Sequence, residues 1–582
     1  MIAFIKVNFL ILVILIFTIT TRLIFLDQFP IGLTHDELNY IIAAKSLFWT
    51  GNFAPGTAPA IIPTNMSNYS VVIAEVPVLF LAPLIGPFNM TLFLSRMMGA
   101  ILSTTIVLAI FLLTKHLTKN HTIALIAAIV TTINPWSFLL GRTIFESNFF
   151  VAFFLWGFLL LIKNHEWKIF YALPLYVMGF FSYTGGQVVF YSFILITLIY
   201  HYFNLPLKKN LKPYLVFFSL ITLILISYVN IVFHNQTFNS RGGEVYLPNQ
   251  PEITKLVDQE RLLAMPAPFN IFFINKMTIY LTGFIDKYLN NFSVNNLFIR
   301  GEFRAAFSYQ KHGTFYFIDL FFILIGLSVV FGLNKKGWFL CLAVIAISGI
   351  TSAISNIEYS YSQRAALMFP FLIILISVGV YYCINFFKLK LIRNSVILVI
   401  SIIYILFFAN LLHIYFYRFP IYASDGWFYQ DRILSRYIAQ TKENYPNAKV
   451  VVSTFEPKVI FEEYLFYNKI YSGLQVVGIN KNLAKQNYEY ENVKFTNECF
   501  DNIGVDEQTI WIVDSLLNCQ IDKTKALRIT RFKDVYENYL IFNDKSCSKF
   551  SLGSYVSPQA YLNFDITKQS EQDFCQNWIT KI

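Results

Sequence analysis

Eleven apolar segments of about 20 residues recur along the first three quarters of the chain. A transmembrane helix needs about 20 mostly apolar residues, so these segments predict a multi-pass α-helical membrane protein. They are residues 4–26, 92–114, 121–140, 149–162, 169–184, 188–206, 213–233, 315–333, 338–355, 365–387 and 394–417. Only 14% of the residues are charged, against about 25% in soluble domains.

The net charge of +11 does not indicate a nucleic-acid-binding protein. A nucleic-acid-binding domain gathers its cations on one soluble surface, whereas here they occupy short loops between apolar segments. One set of these loops holds twelve cations against a single acid, Glu166. By the positive-inside rule that side is cytoplasmic. We therefore expect a cell-membrane protein with a cytoplasmic N-terminus and, after eleven crossings, an extracytoplasmic C-terminus.

Three long segments then lie outside the cell membrane. Residues 27–91 and 234–314 are outer loops of a transmembrane domain spanning residues 1–417, and residues 418–582 are long enough for one compact domain. The last segment has strand patterns at 449–453 and 510–514 and helix patterns at 425–440 and 457–467, which predict an extracytoplasmic α/β domain.

Four of the six cysteines lie in this last segment. An even number of cysteines outside the cytosol suggests two disulfides. Three pairings are possible, and reduced structural thiols are the alternative. They are Cys499, Cys519, Cys547 and Cys575.

Polar residues at the ends of the apolar segments cluster on the outer side. A transport pathway would instead place ionisable groups near the middle of the bilayer, so the clustering favours chemistry at the outer surface. The first outer loop carries His35-Asp36-Glu37. Asp36 and Glu37 suit a general base, although acids at this place could also simply cap a helix starting near Leu38.

Several arginines accompany these acids. The planar arginine side chain matches phosphate geometry, and a carboxylate can deprotonate an attacking hydroxyl. This combination suits transfer of a group from a lipid phosphate to an acceptor hydroxyl. Phosphate leaves as a stable anion, so a single base and cationic stabilisation would be enough.

The residues at four places resemble one known family. Residues 29–40, Phe-Pro-Ile-Gly-Leu-Thr-His-Asp-Glu-Leu-Asn-Tyr, resemble the first outer loop of the protein O-mannosyltransferase family, which includes the aminoarabinose transferases of lipid A. Residues 95–100, 134–148 and 364–370 resemble later segments of that family. The resemblance covers residues 20–420 and implies a prokaryotic member with the C-type glycosyltransferase fold, whose donors are polyprenyl-phosphate sugars.

The resemblance implies roles for individual residues. Asp36 would be the general base and Glu37 its support, while Glu75 and His35 would assist at the acceptor. The donor phosphate would be bound by Arg142, Arg241 and Arg364, with Arg261 or Arg304 as substitutes for Arg241. Val76 stands where some relatives have a lysine.

Each of these residues also has a structural interpretation. Arg96 is interpreted as a structural or interfacial residue, Arg142 and Glu146 could pair on a helix, Arg364 could extend to the interface, and His35 could be a solvated loop residue. A divalent metal ion is possible, with Asp36 and Glu37 as its ligands, but no ligand spacing requires one.

The predicted function is inverting transfer of a sugar, a hexose such as mannose, from polyprenyl phosphate to a protein, lipid or glycan hydroxyl. The loop at 234–314 would lie on the membrane surface and close over the donor. The alternatives are a lipid-linked sugar transporter or flippase, a non-catalytic envelope-assembly protein, and a ligase or polymerase using a diphosphate donor. The sugar, the acceptor and the oligomeric state are left open.

Overall fold

The computed structural model describes residues 2–59, 71–204, 210–234, 251–330, 335–355, 361–499, 508–532 and 536–581. In these ranges seven helices are long and apolar enough to cross a membrane. They are Leu92–Thr118, Glu146–Lys163, Thr184–Phe203, Lys212–Asn230, Lys335–Ala353, Met368–Phe386 and Lys390–Tyr422. Shorter apolar helices occupy Phe9–Leu23, Glu75–Ile85, His121–Ile133 and Phe317–Val329. The prediction of a multi-pass helical membrane protein is confirmed, while the count of eleven crossings stays a prediction.

Two of the predicted segments are divided in the structure. The segment at 121–140 forms the helices His121–Ile133 and Pro135–Leu140, because Asn134 is extended and its side chain accepts from the Ser137 N–H to start the second helix. The segment at 169–184 forms a 3-10 helix, Glu166–Ala172, and an α-helix, Leu173–Phe180, which has a proline in its first turn. Proline lacks the N–H that would continue a preceding helix.

The two predicted outer loops, residues 27–91 and 234–314, have secondary structure of their own in their described parts. The first contains the helix His35–Thr50 and the short parallel strands β1 (Thr57–Pro59) and β2 (Val71–Ile73). The second contains the helices Pro251–Leu262, Asn270–Phe273 and Lys276–Asn290. A short helix, Tyr361–Arg364, precedes Met368–Phe386. These loops are therefore folded segments on which a site could be built.

The C-terminal part is the predicted α/β domain. Its strands are β3 (Lys449–Ser453), β4 (Glu489–Tyr490), β5 (Val493–Thr496), β6 (Thr509–Asp514), β7 (Leu527–Thr530), β8 (Glu537–Phe542) and β9 (Thr580–Lys581). They form one sheet in the order β4-β5-β3-β6-β8-β7-β9, with β3 parallel to β5 and β6. The helices are Tyr429–Asn444, Pro457–Tyr467, Gln475–Ala484 and Glu571–Trp578. Two of them connect β3 to β5, as a parallel crossover requires.

Both predicted disulfides are present. Cys499 pairs with Cys519 and Cys547 pairs with Cys575, which selects one of the three pairings that the sequence leaves open. Cys341 and Cys383 are free thiols. The second bridge joins the segment after β8 to the last helix, so it closes the domain near its C-terminal end.

The first outer loop packs directly on the C-terminal domain. Arg432 donates to the Ile31 carbonyl at 2.7 Å, and the Leu33 N–H donates to the Tyr467 hydroxyl at 3.1 Å. At Gly32 the two backbones touch, since a Cβ there would lie 1.9 Å from the carbonyl oxygen of Trp427. The domain therefore fixes the segment that leads into the helix bearing His35, Asp36 and Glu37.

Candidate active site

The helix His35–Thr50 begins at the Thr34 side chain. The Thr34 hydroxyl accepts from the Glu37 N–H at 3.2 Å, and the Glu37 carboxylate accepts from the Thr34 N–H at 3.2 Å. This reciprocal capping box satisfies two N–H groups that the first helical turn leaves without partners. The helix thus starts three residues before Leu38, and Glu37 caps its N-terminus.

Glu37 is also the partner of a buried arginine. Arg96 Nε donates to one carboxylate oxygen at 3.2 Å and Arg96 Nη2 to the other at 3.0 Å, and both side chains are fully buried. Arg96 donates as well to the carbonyls of Pro30 and Gly32. These contacts agree with the interpretation of Arg96 as a structural residue. Both carboxylate oxygens of Glu37 thus have partners within the protein.

Asp36 has the opposite surroundings, because it is exposed on the wall of a cavity of about 500 Å³. The cavity is lined by residues of the first outer loop, the second outer loop and the start of the C-terminal part. Besides Asp36 its polar lining includes Thr34, His35, Arg304, Gln310 and Asp425. An acid and an exposed arginine thus line one cavity of a size typical of small-ligand sites.

The sequence resemblance names Arg304 only as a substitute for Arg241. Arg241 itself lies outside the described residues. The Lys311 ammonium lies 4.5 Å from the ring centre of Tyr422, which is a cavity residue. Among the residues that line the cavity, Arg304 is the cation that the second outer loop contributes.

Arg142 is not among the residues that line this cavity. It is fully buried and donates to the carbonyls of Thr21, Arg22 and Phe29 and to the Tyr415 hydroxyl at 2.9 to 3.1 Å. Four of its five N–H groups are thereby used within the protein. Arg142 also precedes the helix Glu146–Lys163 rather than sharing it with Glu146. These contacts give Arg142 the role of fixing the end of the first helix.

Neither Arg364 nor Glu75 is among the residues that line this cavity. Arg364 ends the helix Tyr361–Arg364 and is half-buried. That helix is fixed to the second outer loop by Glu302, whose carboxylate accepts from the N–H groups of Tyr361, at 2.6 Å, and Ser362, at 3.2 Å. Burial raises the pKa of Glu302 to about 7. Glu75 is buried at the start of the helix Glu75–Ile85.

Tyr40 connects the helix that bears Asp36 to the residue before Glu75 and to Glu146. It follows Asp36 by one helical turn, so both lie on the same helix face. Its hydroxyl accepts from the Ala74 N–H at 3.2 Å and its side chain hydrogen-bonds to Glu146. Burial, with Glu146 beside it, raises the pKa of Tyr40 above the usual range. The i, i+4 spacing was the signal in the sequence that could have identified Tyr40.

A second group of titratable side chains lies behind His35. The His35 ring stacks on Phe428 with ring centres 3.8 Å apart, and one of its nitrogens lies within 4.8 Å of carboxylate oxygens of Asp431 and Glu463. Burial lowers the pKa of His35 to about 4 and raises that of Asp431 to about 7, and burial also holds the pKa of Glu463 well above its usual range. His35 is therefore not a solvated loop residue.

The structure is similar to those of two membrane glycosyltransferases. With AglB, an oligosaccharyltransferase of Archaeoglobus fulgidus solved with an inhibitory peptide and a dolichol-phosphate, the TM-score is 0.44 and the identity 11%, over 93% of this chain and 74% of AglB. With ArnT of Cupriavidus metallidurans, bound to undecaprenyl phosphate, the TM-score is 0.45 and the identity 11%, over 93% of this chain and 98% of ArnT.

The sequence resemblance named the same group of enzymes, to which the aminoarabinose transferase ArnT belongs. No protein-family model matches the chain. No curated protein matches its sequence.

Proposed function

We propose that the chain is an inverting glycosyltransferase that moves a sugar from a polyprenyl phosphate to an acceptor hydroxyl outside the cell membrane. The observation that carries the proposal is that Asp36 and Arg304 line the same cavity of about 500 Å³. A base and a phosphate-binding cation are the two groups that this reaction needs, and they are supplied here by different outer loops.

Asp36 is the general base. It takes the proton of the acceptor hydroxyl as the hydroxyl oxygen bonds to the anomeric carbon of the sugar. The bond from that carbon to the phosphate oxygen breaks in the same displacement, and its electron pair leaves with the polyprenyl phosphate. Asp36 suits this role because it is exposed at the cavity, whereas its neighbour Glu37 is committed to Arg96.

The donor phosphate is bound on the opposite wall. Arg304 is exposed there and can give paired hydrogen bonds to phosphate oxygens. Arg364 belongs to the segment that Glu302 fixes beside this loop, and it is retained as a second phosphate ligand. Arg142 is left out because its donors are used by backbone carbonyls.

The finer assignments follow the sequence resemblance. The donor sugar is a hexose such as mannose, and the acceptor is a protein, lipid or glycan. Residues 1–417 form the transmembrane domain with a cytoplasmic N-terminus. Residues 418–582 form an extracytoplasmic domain, and its contacts with residues 31–33 would let it orient the acceptor.

The test is sugar transfer from radiolabelled polyprenyl-phosphate hexose in membranes containing wild type or Asp36→Asn. We expect a loss of about a hundredfold or more. Asp258→Asn is the matched control, since Asp258 is also an exposed outer-loop acid but does not line the cavity. Equal turnover by wild type and Asp36→Asn would remove Asp36 from the mechanism.

The same membranes separate the other functions. A transporter or flippase would move the labelled donor across the membrane without product, and a diphosphate-dependent ligase would turn over only polyprenyl-diphosphate donors. No turnover with any donor, together with loss of function on deletion of residues 418–582 alone, would favour a non-catalytic assembly role.

A further inference from the structure

We propose that His35, Asp431 and Glu463 form a binding site for one divalent transition-metal ion, with Zn²⁺ as the reference ion. Ligand atoms of the three side chains lie within 4.8 Å of one another. They come from three places: the first outer loop, the helix Tyr429–Asn444 and the helix Pro457–Tyr467. His35 also lines the cavity that holds Asp36 and Arg304, whereas Asp431 and Glu463 do not.

The main observation is that Glu463 is a buried carboxylate with no partner. Its side chain is fully buried, and neither of its oxygens has a hydrogen-bond partner among the described residues. A buried charge without compensation costs several kcal/mol and is ordinarily paired or bound to a metal. Its carboxyl group lies beside Asp431 and His35, so an ion bound between these three groups would contact all of them.

His35 and Asp431 are also held in orientations that suit metal ligands. The Nε2 atom of His35 is buried and has no hydrogen-bond partner among the described residues, while Nδ1 lies 3.5 Å from Glu456. A carboxylate on one ring nitrogen orients the other toward a metal. One oxygen of Asp431 accepts from the Tyr539 hydroxyl at 2.5 Å, which fixes the orientation of that carboxyl.

Arg432 and Lys458, two cations near this position in the described part of the chain, have other partners. Arg432 follows Asp431 in the chain, but its Nη1 donates to the Ile31 carbonyl and its guanidinium lies over the rings of Tyr429 and Tyr467. Lys458 pairs instead with Glu462 at 3.7 Å. An ion bound by His35, Asp431 and Glu463 would therefore neutralise the acids that these cations do not reach.

The donor set selects the class of ion. One imidazole and two carboxylates suit Zn²⁺ and its neighbours, whereas Ca²⁺ and Mg²⁺ prefer all-oxygen sites. Ligands about 2.1 Å from an ion are roughly 3 to 4 Å apart, so side-chain movements of no more than about 1 Å would bring the three groups to these separations. Bound metal would then tie the loop before Asp36 to two helices of the C-terminal domain.

The test uses the full-length protein in detergent, stripped with a chelator and then titrated with ZnCl₂ against a competing chelator. We expect one Zn²⁺ per chain in the wild type and a loss of affinity of about a hundredfold or more in Glu463→Gln. Glu462→Gln is the matched control, since Glu462 is the adjacent buried acid on the same helix and pairs with Lys458. It should bind like the wild type.

His35→Gln provides a second variant on the other side of the site, and a Zn²⁺-induced rise in the unfolding temperature provides a second measurement. That rise should occur in wild type and Glu462→Gln and be absent in Glu463→Gln and His35→Gln. Absence of stoichiometric zinc in the wild type, or equal binding by Glu462→Gln and Glu463→Gln, would overturn the proposal. Neither readout requires sugar transfer, so the result is independent of the proposed function.

Discussion

Glu37 and Arg96 form a fully buried ion pair, with 3.0 Å between Arg96 Nη2 and Glu37 Oε2. The pair joins the first turn of the helix His35–Thr50 to the helix Leu92–Thr118. Asp36, one residue away, is exposed at the cavity. Two adjacent acids thus have different surroundings, because consecutive residues of a helix project about 100° apart.

Replacing Arg96 should destabilise the protein. In Arg96→Gln the Glu37 carboxylate stays buried without its cation, and breaking a buried pair in this way costs about 3–5 kcal/mol. The measurement is the midpoint of thermal unfolding in detergent. Arg300→Gln, which changes an exposed arginine, should unfold like the wild type. An unchanged midpoint for Arg96→Gln would show that the pair contributes nothing to stability.

Replacing Arg304 should weaken donor binding. A charge-assisted hydrogen bond contributes about 1.5–3 kcal/mol, so Arg304→Ala should raise the KM for a polyprenyl-phosphate sugar roughly 10- to 100-fold. Arg300→Ala is the control, because Arg300 is exposed in the same loop and does not line the cavity. If both variants had the wild-type KM, the phosphate would have to bind elsewhere.

Stability should depend on pH through Glu302. Its folded-state pKa of about 7 exceeds the ordinary value of 4.5, so the folded protein binds the proton more tightly than the unfolded chain. The free energy of unfolding should therefore fall as pH rises from about 4.5 to about 7, by roughly 3 kcal/mol. Glu302→Gln should flatten this decline in unfolding scans. The same slope in both proteins would assign the effect to another group.

Removing the bridge between Cys547 and Cys575 should destabilise the C-terminal domain. The bridge closes a loop with a sequence separation of 28 residues, and loop-closure entropy gives about 3 to 4 kcal/mol for that length. The Cys547→Ala, Cys575→Ala double variant should unfold at a lower denaturant concentration, as seen by tryptophan fluorescence. Cys383→Ser, at a free thiol, should not. Equal midpoints would mean that the bridge adds no stability.

The secondary structure could be predicted where a short pattern determines it. Each apolar segment contains helix, and the strand at 449–453 and the helix at 457–467 have the predicted bounds. The breaks at Asn134 and in the segment 166–180 depend on single residues within otherwise apolar runs. The length of an apolar segment and its mean hydropathy are not sensitive to such single residues.

The partners of the charged side chains could not be predicted in this way. Arg142 donates to carbonyl oxygens of residues more than a hundred positions away in the chain. Because every residue has a carbonyl group, no residue type in the sequence indicates such a contact. His35 likewise meets Asp431 and Glu463 from about 400 residues along the chain. Asp36 lies at the cavity, and its role as the general base stays a prediction.

The contact of Gly32 with Trp427 leaves no room for even one methyl group between the first outer loop and the chain that enters the C-terminal domain. A side chain at position 32 would clash with the Trp427 carbonyl and push the two surfaces apart by more than an ångström. The domain is therefore not an interchangeable module. A graft taken from another protein would have to reproduce the path of the main chain at residue 427, whatever side chains it carried.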